Sequence, residues 1–494
     1  MEKPEFLKAC LKILDTPQLT REMLASRATR LVYDGRIAVY RNAVYREKTA
    51  RAEKDLADSI CHQVIKQKRY FYEDLDAELD EEESMLRIKL APEQRDAVKM
   101  ALTSGLCIIT GGPGTGKTMI QKVILDIHSR NYKEDGVCCC APTGRAARRM
   151  EQSTGVPAST VHKALGLIAG SYGDGHEEGV APIRHADLIL VDEVSMLDIF
   201  LANCLFDVVK PGSHMVLIGD ADQLPSVGPG AVLSEMIASG CIPVARLDKV
   251  YRQDAGSRIA INAKKIRHGD TNLEYGEDFQ FVNSADTAES AEIIKELYLK
   301  ETAACGADNV ALLTPFRQKT ETGANALNGQ LREIANPKNN AKAEIALGKK
   351  WFRDGDRVMQ IKNNEDINNG DIGYVTDITQ YGNDREMRVD FGDGRERAYD
   401  VSELNMLDLG YALTIHKSQG SEYQSVIVNL QCAHSIMLTR PLIYTAVTRG
   451  KTRVIIVGER KAMYIAIKRA DTEKRQTHLS HRIKESMEVW ERSR

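Results

Sequence analysis

The sequence predicts an α/β fold with two parallel-sheet domains in tandem, and three observations support this prediction. Short apolar runs, among them LCIIT, VCCCAP, LILVDE and MVLIGD, alternate with helical patterns in the first half of the chain. A second set of runs, VALLTPF, SVIVNL and TRVIIVG, follows further along. A glycine-rich loop of the phosphate-binding type comes directly after the first run. Apolar runs of this length between helices are typical of buried parallel strands.

The composition indicates several domains without a uniformly basic surface. The chain has 494 residues, 43% of them apolar. At about 150 residues per domain, this length suits roughly three or four domains. There are 67 lysine and arginine residues against 70 aspartate and glutamate residues, which leaves a net charge of -3. This balance excludes a histone-like coat for nucleic acid, so DNA binding requires a local basic groove.

The cysteines and the N-terminus indicate the compartment. Ten cysteines are scattered without a C-x-x-C pair, and Cys138, Cys139 and Cys140 fall in one apolar run. Neither a zinc site nor a disulfide framework is therefore expected, and a reducing, cytoplasmic location is predicted. The N-terminus mixes charge throughout, so no signal peptide is predicted. No apolar stretch reaches membrane-spanning length, so no membrane partner is expected.

Residues 1–85 are predicted to form a mainly helical segment. The stretch EKTARAEKDLADSICHQVIKQ is the clearest amphipathic helix, because its apolar residues recur at helical spacing. The acidic run at 74–84, DLDAELDEEES, is interpreted as a solvated linker, since a block of like charges repels itself. The segment suits either a winged-helix-like support for the rest of the chain or a partner-docking surface.

The remaining chain divides into two α/β domains, the second of which carries an insertion. The first domain is predicted over residues 86–260 and the second over 261–345 and 406–494. Residues 346–405 contain short alternating segments with Asn-Gly and Asp-Gly turn signals. This texture predicts a small antiparallel β-barrel inserted in the second domain. Trp351 opens the insertion and is interpreted as a residue of its core.

Residues 111–118, GGPGTGKT, match the phosphate-binding pattern G-x-x-x-x-G-K-[ST] between an apolar run and a helical pattern. Glycines allow successive backbone N–H groups to face a phosphate, and the following helix N-terminus adds partial positive charge. We expect the Lys117 ammonium to reach the β- and γ-phosphates of ATP and the Thr118 hydroxyl to bind Mg²⁺. The residues that this motif assigns to nucleotide binding are Gly112, Pro113, Gly114, Thr115, Gly116, Lys117 and Thr118.

Asp192 and Glu193 directly follow the apolar run LILV. A carboxylate at the carboxyl end of a buried parallel strand lies beside the phosphate loop in this fold class. Asp192 is expected to hold the Mg²⁺ ion, and Glu193 to orient and deprotonate the attacking water. Such a pair after a strand is often a surface cap. Here it follows a phosphate loop about 75 residues earlier, which favours the catalytic interpretation.

Further sequence blocks occur in the order found in superfamily 1 helicases. They are LAPEQRDAV, APTGRAA, STVHKALG, GDADQLPSVGPG, VYRQ, LGYALTIHKSQGSEY and YTAVTRGK. Together with GGPGTGKT, VDEVSM and KRQTHLSHRI, they make residues 88–494 resemble the RecD-like, 5′-to-3′ branch of that superfamily. The resemblance implies two tandem RecA-like P-loop motor domains, an SH3-like barrel in the second, and a strand-separating hairpin in the first. The Gly-rich residues 166–185 occupy the hairpin position, where a surface loop is the alternative.

The resemblance also implies roles for single residues. Gln94 matches the adenine-reading glutamine, and Gln223 matches the glutamine that senses the γ-phosphate. Arg252 and Arg449 match the arginine fingers. The DNA-contacting motifs assign seven positions, which are Thr143, Thr160, His162, Lys163, Thr414, His416 and Lys417.

Residues near these motifs allow weaker predictions. Gln419 and Glu422 are expected to couple the DNA and ATP sites. Arg145, Arg148 and Arg149 either extend the DNA groove or form a solvated helix face, and the solvated face is favoured.

The resemblance implies an ATP-dependent DNA helicase that uses Mg²⁺ and moves 5′-to-3′ along single-stranded DNA in repair or recombination. Its expected partners are single-stranded DNA, junctions of single- and double-stranded DNA, and replication or repair proteins. A single-stranded DNA translocase and an ATP-gated DNA-binding scaffold remain alternatives. Glu193, Gln223, Arg252 and Arg449 argue against the scaffold, because a slow ATPase does not need all four.

Other relatives and longer forms leave different signatures. RNA helicase relatives often add a Cys/His zinc domain, which this sequence lacks, and conjugative relaxases need an N-terminal strand-nicking domain. Longer RecD-like members carry an additional domain with helix–hairpin–helix elements before the motor. About 85 residues precede the motor here, so a short form of a longer protein is one interpretation.

Overall fold

The fold is taken from a computed structural model of the chain. It describes residues 1–16, 18–66, 70–133, 136–167, 181–251, 256–318, 320–364, 367–381, 384–470, 475 and 477–492. Within these ranges, no helix combines the length and the apolar content needed to cross a membrane. All ten cysteines are free thiols.

The N-terminal segment is mainly helical and also contains a two-stranded antiparallel hairpin. Its elements are α1 (Lys3–Leu14), α2 (Arg21–Tyr33), β1 (Ile37–Tyr40), β2 (Ala43–Arg46) and α3 (Glu47–Ile65). The buried side chains of α3 include Leu56, Ala57, Ile60 and Cys61, which share one face because 3.6 residues make a turn. They belong to the same apolar core as the first parallel sheet.

The acidic run at 74–84 is not a solvated linker but forms most of helix α4 (Leu75–Leu86). The Asp74 carboxylate accepts hydrogen bonds from two backbone N–H groups at the start of the helix, and Leu79 is fully buried. Arg95 pairs with one acidic side chain of the run at 2.7 Å, and Arg130 pairs with another at 2.8 Å. These arginines offset the repulsion between like charges, which is why the run folds as a helix.

The first α/β unit is built on a six-stranded sheet in which all strand pairs are parallel. Its elements are α5 (Pro92–Thr103), β3 (Leu106–Gly111), α6 (Lys117–Asn131), β4 (Val137–Ala141), α7 (Gly144–Thr154), β5 (Ala158–Thr160), α8 (Val161–Ala164), β6 (Leu188–Val191), α9 (Ile199–Val208), β7 (His214–Gly219), α10 (Val232–Ser239) and β8 (Val244–Leu247). The strand order is β5-β4-β6-β7-β3-β8. The central strands are buried on both faces, as their unbroken apolar runs require.

The second α/β unit has a five-stranded parallel sheet with the order β18-β10-β19-β20-β9. Its elements before the insertion are α11 (Arg258–Arg267), β9 (Phe279–Asn283), α12 (Thr287–Cys305), β10 (Val310–Thr314) and α13 (Ala324–Ala335). After the insertion come β18 (Ala412–Thr414), β19 (Tyr423–Leu430), α14 (Arg440–Val447), β20 (Gly450–Gly458), α15 (Arg460–Lys468) and α16 (Leu479–Arg492).

Antiparallel strands form the insertion between α13 and β18. They are β11 (Glu344–Leu347), β12 (Lys350–Arg353), β13 (Arg357–Gln360), β14 (Ile372–Tyr381), β15 (Asp384–Asp390), β16 (Glu396–Asp400) and β17 (Leu407–Leu409). β11 pairs with β12, and the other five follow the order β16-β15-β14-β13-β17. The antiparallel region therefore begins two residues before the predicted boundary at 346 and extends past 405.

Trp351 does not lie in the core of the insertion, so that interpretation is wrong. Successive strand residues point to opposite faces, and the core position is taken by Phe352, which is 2% exposed. Trp351 is half-buried on the other face. The guanidinium carbon of Arg332 lies 3.2 Å from the ring centroid of Trp351.

The C-terminal helix α16 corrects the predicted extent of the second domain, residues 406–494. Leu479 and Ile483 are fully buried in the core of the first unit, and the Cys61 thiol donates to the Ile483 carbonyl at 3.4 Å. These two apolar residues lie one helical turn apart and find their apolar partner on α3. The chain therefore crosses back to the first unit after α15.

Candidate nucleotide-binding site and its coupling to a second cavity

The phosphate loop lies at the carboxyl end of β3, a strand paired on both sides by β7 and β8. Gly114 and Gly116 adopt φ values of 76° and 89°, which favour glycine because it lacks a Cβ. The Lys117 ammonium donates to the Gly111 carbonyl at 2.6 Å and the Gly112 carbonyl at 2.9 Å. The Thr115 hydroxyl closes the loop on the Gly112 carbonyl at 2.8 Å.

Gln94 packs against this loop and is almost fully buried. Its amide Nε2 donates to the Thr115 carbonyl at 2.9 Å, and its Oε1 accepts from the Ala91 N–H at 2.9 Å. The side chain is only 5% exposed. The oxygen and the nitrogen of the Gln94 amide therefore both contact backbone groups, and these contacts position the loop. The adenine-reading role of Gln94 stays a prediction.

Asp192 and Glu193 lie at the carboxyl end of β6, as predicted for this sheet edge. Glu193 has a φ of 51°, and its N–H donates to the Asp192 carboxylate at 2.8 Å. Burial, and then the neighbouring Asp192, raise the pKa of Glu193, while Arg449, Lys117 and Arg149 oppose the rise. A carboxylate with a raised pKa is the stronger proton acceptor.

Asp220 holds Gln223 in one orientation and also binds the Tyr444 hydroxyl. The Asp220 carboxylate is 1% exposed. Its Oδ2 accepts from the Gln223 amide at 3.2 Å and from the Tyr444 hydroxyl at 3.0 Å. Because a carboxylate can only accept here, the NH₂ group of Gln223 must face it. The Oε1 atom of Gln223 then faces the other way, and it has no hydrogen-bond partner within the described part of the chain.

Arg449 comes from the second unit, between α14 and β20. Its side chain is 2% exposed and donates to the Thr445 carbonyl at 3.1 Å and the Ser421 carbonyl at 3.0 Å. A third contact reaches the Thr448 hydroxyl at 3.4 Å. A guanidinium has five N–H groups, so these three contacts leave two of them unused.

One cavity of about 840 Å³ brings these residues of the two units together. The predicted residues that line it are Pro113, Gly114, Gly116, Lys117, Thr118, Asp192, Glu193, Gln223 and Arg449. A neighbouring cavity of about 850 Å³ is lined by Gly112, Pro113, Gly114, Thr115 and Tyr444. Arg252 lies outside the described residues.

Arginines of α7 reach the second unit, which the solvated-face interpretation did not predict. Arg145 donates to the Tyr423 hydroxyl at 2.9 Å, and Arg149 pairs with Glu422 at 2.7 Å. Arg148 pairs with Asp371 of the insertion, a carboxylate whose side chain is 1% exposed. The interpretation of a solvated face is wrong for all three, because each has an acceptor across the cleft. Their spacing beside a motif was the only signal in the sequence.

The predicted DNA contacts of the first unit lie at the carboxyl edge of its sheet. The Thr143 hydroxyl accepts a hydrogen bond at 3.3 Å from a backbone N–H in the first turn of α7. The Thr160 hydroxyl does the same at 3.2 Å in the first turn of α8. Burial lowers the pKa of His162, and Lys163 is exposed. Both threonine hydroxyls therefore act as helix caps in addition to any contact with DNA.

The predicted contacts of the second unit, Thr414, His416 and Lys417, line a second cavity of about 870 Å³. Burial lowers the pKa of His416, and the nearby Arg475 lowers it further. The described part of the first unit contributes residues 224–227 to this cavity, and its four predicted DNA contacts are not among the lining residues. The cavity therefore brings together three of the seven predicted residues.

The loop after β7 joins the two cavities. Gln223 lines the first, and Leu224 lines the second. The Leu224 N–H donates to the Thr445 hydroxyl at 2.9 Å, and its carbonyl accepts from the Gln419 amide at 2.8 Å. Arg475 donates to the Gly228 and Gly230 carbonyls of the same loop at 2.6 and 2.7 Å. The backbone of this loop therefore connects the two cavities directly, so a movement of the loop at one cavity also moves residues of the other.

Three protein families match consecutive parts of the chain. Residues 89–290 match the AAA domain family, residues 327–391 the SH3 domain of ATP-dependent RecD-like DNA helicases, and residues 409–457 the UvrD-like helicase C-terminal domain. The SH3 family match covers most of the antiparallel insertion described above.

Two named relatives and one solved structure are similar to the chain. The ATP-dependent RecD2 DNA helicase of Deinococcus radiodurans is 38% identical over 80% of this chain and 52% of its own length. The RecBCD enzyme subunit RecD of Mycolicibacterium smegmatis is 32% identical over 76% of this chain and 72% of its own. The Pif1 helicase of Candida albicans aligns over 82% of this chain and 99% of its own, at 18% identity and a TM-score of 0.47.

The family matches identify the chain as a member of superfamily 1 of the helicases, and the predicted nucleotide-binding residues line a cavity between its two α/β units. The chain belongs to the RecD-like family of these DNA helicases. The predicted family is thereby confirmed. The chain spans about half the length of the Deinococcus relative.

Proposed function

We propose that this protein is an ATP-driven DNA helicase that moves 5′-to-3′ along single-stranded DNA and opens duplex DNA in repair or recombination. The observation that carries the proposal is the cavity of about 840 Å³ between the two α/β units. Lys117, Glu193 and Gln223 line it from one side, and Arg449 lines it from the other. Hydrolysis at such a cavity acts on the relative position of the two units.

The side chains support direct attack of water on the γ-phosphate. Glu193, with its raised pKa, accepts a proton from the attacking water. Asp220 binds the NH₂ group of Gln223, and the buried Oε1 atom of Gln223 has no partner in the described part of the chain, so it is the acceptor that this side chain would offer to the attacking water. Lys117 and Arg449 place positive charge where negative charge develops, and an arginine in that role contributes about 10³ to 10⁵ in rate.

Thr118 and Asp192 are the residues that would hold Mg²⁺. Both line the cavity, and a hydroxyl and a carboxylate are hard oxygen donors of the kind that Mg²⁺ prefers. The donor set therefore fits the ion. When bound, Mg²⁺ neutralises charge on the β- and γ-phosphates.

Coupling to the DNA strand follows from the loop after β7. A γ-phosphate near Gln223 and Arg449 favours closure of the cleft, and its release removes that attraction. Leu224, bonded to Gln419 and Thr445, carries the change to the second cavity, where Thr414, His416 and Lys417 contact the strand. Alternate gripping by the two units then produces a step.

The finer assignments belong to the same proposal. The two units are RecA-like motor domains, and the insertion is an SH3-like barrel, which the family match at 327–391 supports. Its substrates are single-stranded DNA and forked junctions, and its partners are replication or repair proteins. A reducing, cytoplasmic compartment suits ten free thiols. Most of the predicted strand-separating hairpin, residues 168–180, lies outside the described residues.

Strand displacement on two forked substrates tests the proposal. One substrate carries a 5′ single-stranded tail and the other a 3′ tail, with ATP present and Lys117→Ala as the blank. We expect unwinding from the 5′ tail only. Equal unwinding from a 3′ tail would contradict the polarity.

A translocase without unwinding is the second candidate. It is favoured if neither fork opens while single-stranded DNA still stimulates ATP hydrolysis, since both activities use the same motor. The Lys117→Ala variant must be inactive in either case, because it lacks the Lys117 ammonium, which is part of the phosphate loop.

A further inference from the structure

The N-terminal segment carries a local excess of positive charge. Residues 21–46 contain six arginines and two acidic residues, whereas the whole chain has a net charge of -3. All six arginines are exposed, and Arg41 pairs with Glu485 at 3.0 Å. Among the residues that the structure describes, no ion-pair partner is found for the other five, which are Arg21, Arg27, Arg30, Arg36 and Arg46. Exposed cations without partners on a near-neutral protein indicate an anionic ligand.

The order of elements in this segment leaves helix α2 on the surface. An isolated bridge between Glu2 and Ala43 joins the N-terminus to the β1–β2 hairpin, and α2 packs on α1 and on β1. Leu24 is the one buried side chain of α2, every residue of which the structure describes. Helix α2 is therefore the second of two packed helices, the position that enters the major groove in helix-turn-helix proteins.

The solvent face of α2 carries the side-chain types that bind nucleic acid. Ser26, Arg30 and Tyr33 are spaced by four and then three residues, and Arg27 lies three residues before Arg30, so the four share one side of the helix. All four are exposed, Tyr33 by 92%. Hydroxyl and guanidinium groups donate to phosphates and to base edges. These four residues are here called the α2 surface.

The β1–β2 hairpin fixes the N-terminal segment to the C-terminal helix α16. The Tyr40 hydroxyl donates to the Glu485 carboxylate at 2.5 Å, and the Arg482 guanidinium lies 3.7 Å from the centre of the Tyr40 ring. The Tyr45 hydroxyl and the His478 ring are hydrogen-bonded at 2.6 Å. Because α16 and α3 both contribute to the core of the first unit, a ligand held by α2 moves together with that unit.

The same core extends to the place predicted for the strand-separating hairpin. Leu56 and Ile60 of α3 share this core with Leu165 and Ala181, two described residues at either end of the predicted hairpin at 166–185. The α2 surface therefore belongs to the part of the molecule from which that hairpin would project. Where a helicase separates strands, the DNA that is still paired lies next to the separating element, so duplex DNA is the anion expected there.

We propose that the α2 surface binds the backbone of duplex DNA ahead of the point at which the strands separate. Arg27 and Arg30 donate to phosphates, and Ser26 and Tyr33 add hydroxyl contacts on the same side. The major groove is about 12 Å wide and admits an α-helix. A single strand fits less well, because Tyr33 is the one aromatic residue of α2 and strand binding uses successive stacked rings. The proposal rests on the function proposed above and adds a grip on the duplex to it.

The test is the salt dependence of binding to a short, fluorescent, blunt-ended duplex without nucleotide. Arg27→Ala/Arg30→Ala is compared with Lys300→Ala/Lys461→Ala, which removes two exposed lysines of α12 and α15 on the second unit. Each lost phosphate contact should reduce the slope of log affinity against log salt by about 0.9. Between about 50 and 200 mM salt, the advantage of the wild type over the α2 variant should therefore shrink by about 12-fold. Alanine favours the helix, so α2 stays folded, and Arg27→Lys/Arg30→Lys should keep the slope.

Binding to oligothymidylate, and the ATP hydrolysis that it stimulates, report on the motor separately. A reduced slope on the duplex, with oligothymidylate binding unchanged and the lysine control like the wild type, supports the proposal. An equal reduction on oligothymidylate would show that the α2 surface binds a single strand, and the proposal would be wrong.

The remaining outcomes also separate this proposal from the proposed function. If Arg27→Ala/Arg30→Ala binds the duplex as the lysine control does, or if the wild type does not bind the duplex, the α2 surface is not a duplex contact. The proposed function stands in both cases as long as single-stranded DNA stimulates hydrolysis. If the variant keeps duplex binding and loses binding to polyglutamate, the surface takes an acidic polypeptide and the proposal fails. A wild type without DNA-stimulated ATP hydrolysis would refute the proposed function itself.

Discussion

Replacing Tyr444 by phenylalanine should uncouple ATP hydrolysis from DNA. The Tyr444 hydroxyl crosses from the second unit to the Asp220 carboxylate of the first at 3.0 Å. The same carboxylate oxygen orients Gln223. Removal of one hydroxyl therefore disturbs both the contact between the units and the orientation of the glutamine, and the ring is kept.

The magnitude follows from the burial of Asp220, which is 1% exposed. A hydrogen bond to a charged group contributes about 1.5 to 3 kcal/mol, and an unsatisfied buried partner costs about the same. If that energy is expressed in the transition state of hydrolysis, kcat falls by about 10- to 150-fold. We expect this loss in the presence of single-stranded DNA.

The assay is steady-state ATP hydrolysis with and without single-stranded DNA. Tyr399→Phe is the matched control, because it also removes a buried hydroxyl, one that donates to Gln360 at 2.8 Å within the insertion. Tyr399→Phe should lower thermal stability and leave stimulation by DNA intact. The reasoning is refuted if Tyr444→Phe is stimulated by DNA as fully as Tyr399→Phe.

Four further results are expected. Glu193→Gln should bind ATP but hydrolyse it at least about 100-fold more slowly, since general-base catalysis contributes 10² to 10⁴; rates near wild type would show that another group takes the proton. Hydrolysis requires ionised Glu193, so kcat should fall as pH drops through its raised pKa. In Arg149→Ala that acid limb should move to higher pH, because Arg149 lowers the pKa of Glu193; an unmoved limb in a pH–rate profile would contradict this. Asp371→Asn should lower the free energy of unfolding by about 3 kcal/mol in a denaturant titration, because it leaves two arginines without their buried carboxylate. Arg475→Ala removes the hydrogen bonds that tie the segment between α15 and α16 to the loop after β7. Proteolysis between α15 and α16 should therefore be faster, and unchanged cleavage would count against this role of Arg475.

Much of the fold was predictable because parallel strands leave a simple pattern. Six-residue runs such as Leu106–Gly111 are buried on both faces, so their sequence is almost entirely apolar, with Thr110 as the one polar side chain. Asp192 and Glu193 directly follow β6, and Lys117 follows β3 after the phosphate loop, so all three lie at the carboxyl edge of the same parallel sheet. The structure brings them together at the same cavity.

Other features depend on partners that are remote in sequence. The acidic run at 74–84 folds because arginines of other helices reach it. Helix α16 could equally have covered either unit, and its apolar positions do not say which. Arg148 finds its acceptor, Asp371, 223 positions away.

Sequence motifs also left the orientation of single side chains open. Gln94 is identified by its motif, but its Nε2 donates to the Thr115 carbonyl and its Oε1 accepts from the Ala91 N–H, an orientation that the motif alone does not give. Trp351 lies in strand β12 (Lys350–Arg353). Which face of the sheet its side chain is on cannot be assigned until the register of that strand is known. Asp220 and Tyr444 stand in recognisable blocks, and their contact becomes visible only when the two units are packed together.

The measurement that tests the central claim most directly compares Arg449→Ala with the wild type in ATP binding and in DNA-stimulated ATP hydrolysis. Arg449 is the predicted arginine finger of the second unit, and it lines the same cavity as Lys117 and Glu193 of the first. We predict that Arg449→Ala binds ATP within about threefold of the wild type, since most of the phosphate contacts come from the first unit. Its hydrolysis in the presence of single-stranded DNA should fall by about 10³-fold or more. Full stimulation by DNA in Arg449→Ala would contradict the claim that the two units share one catalytic site.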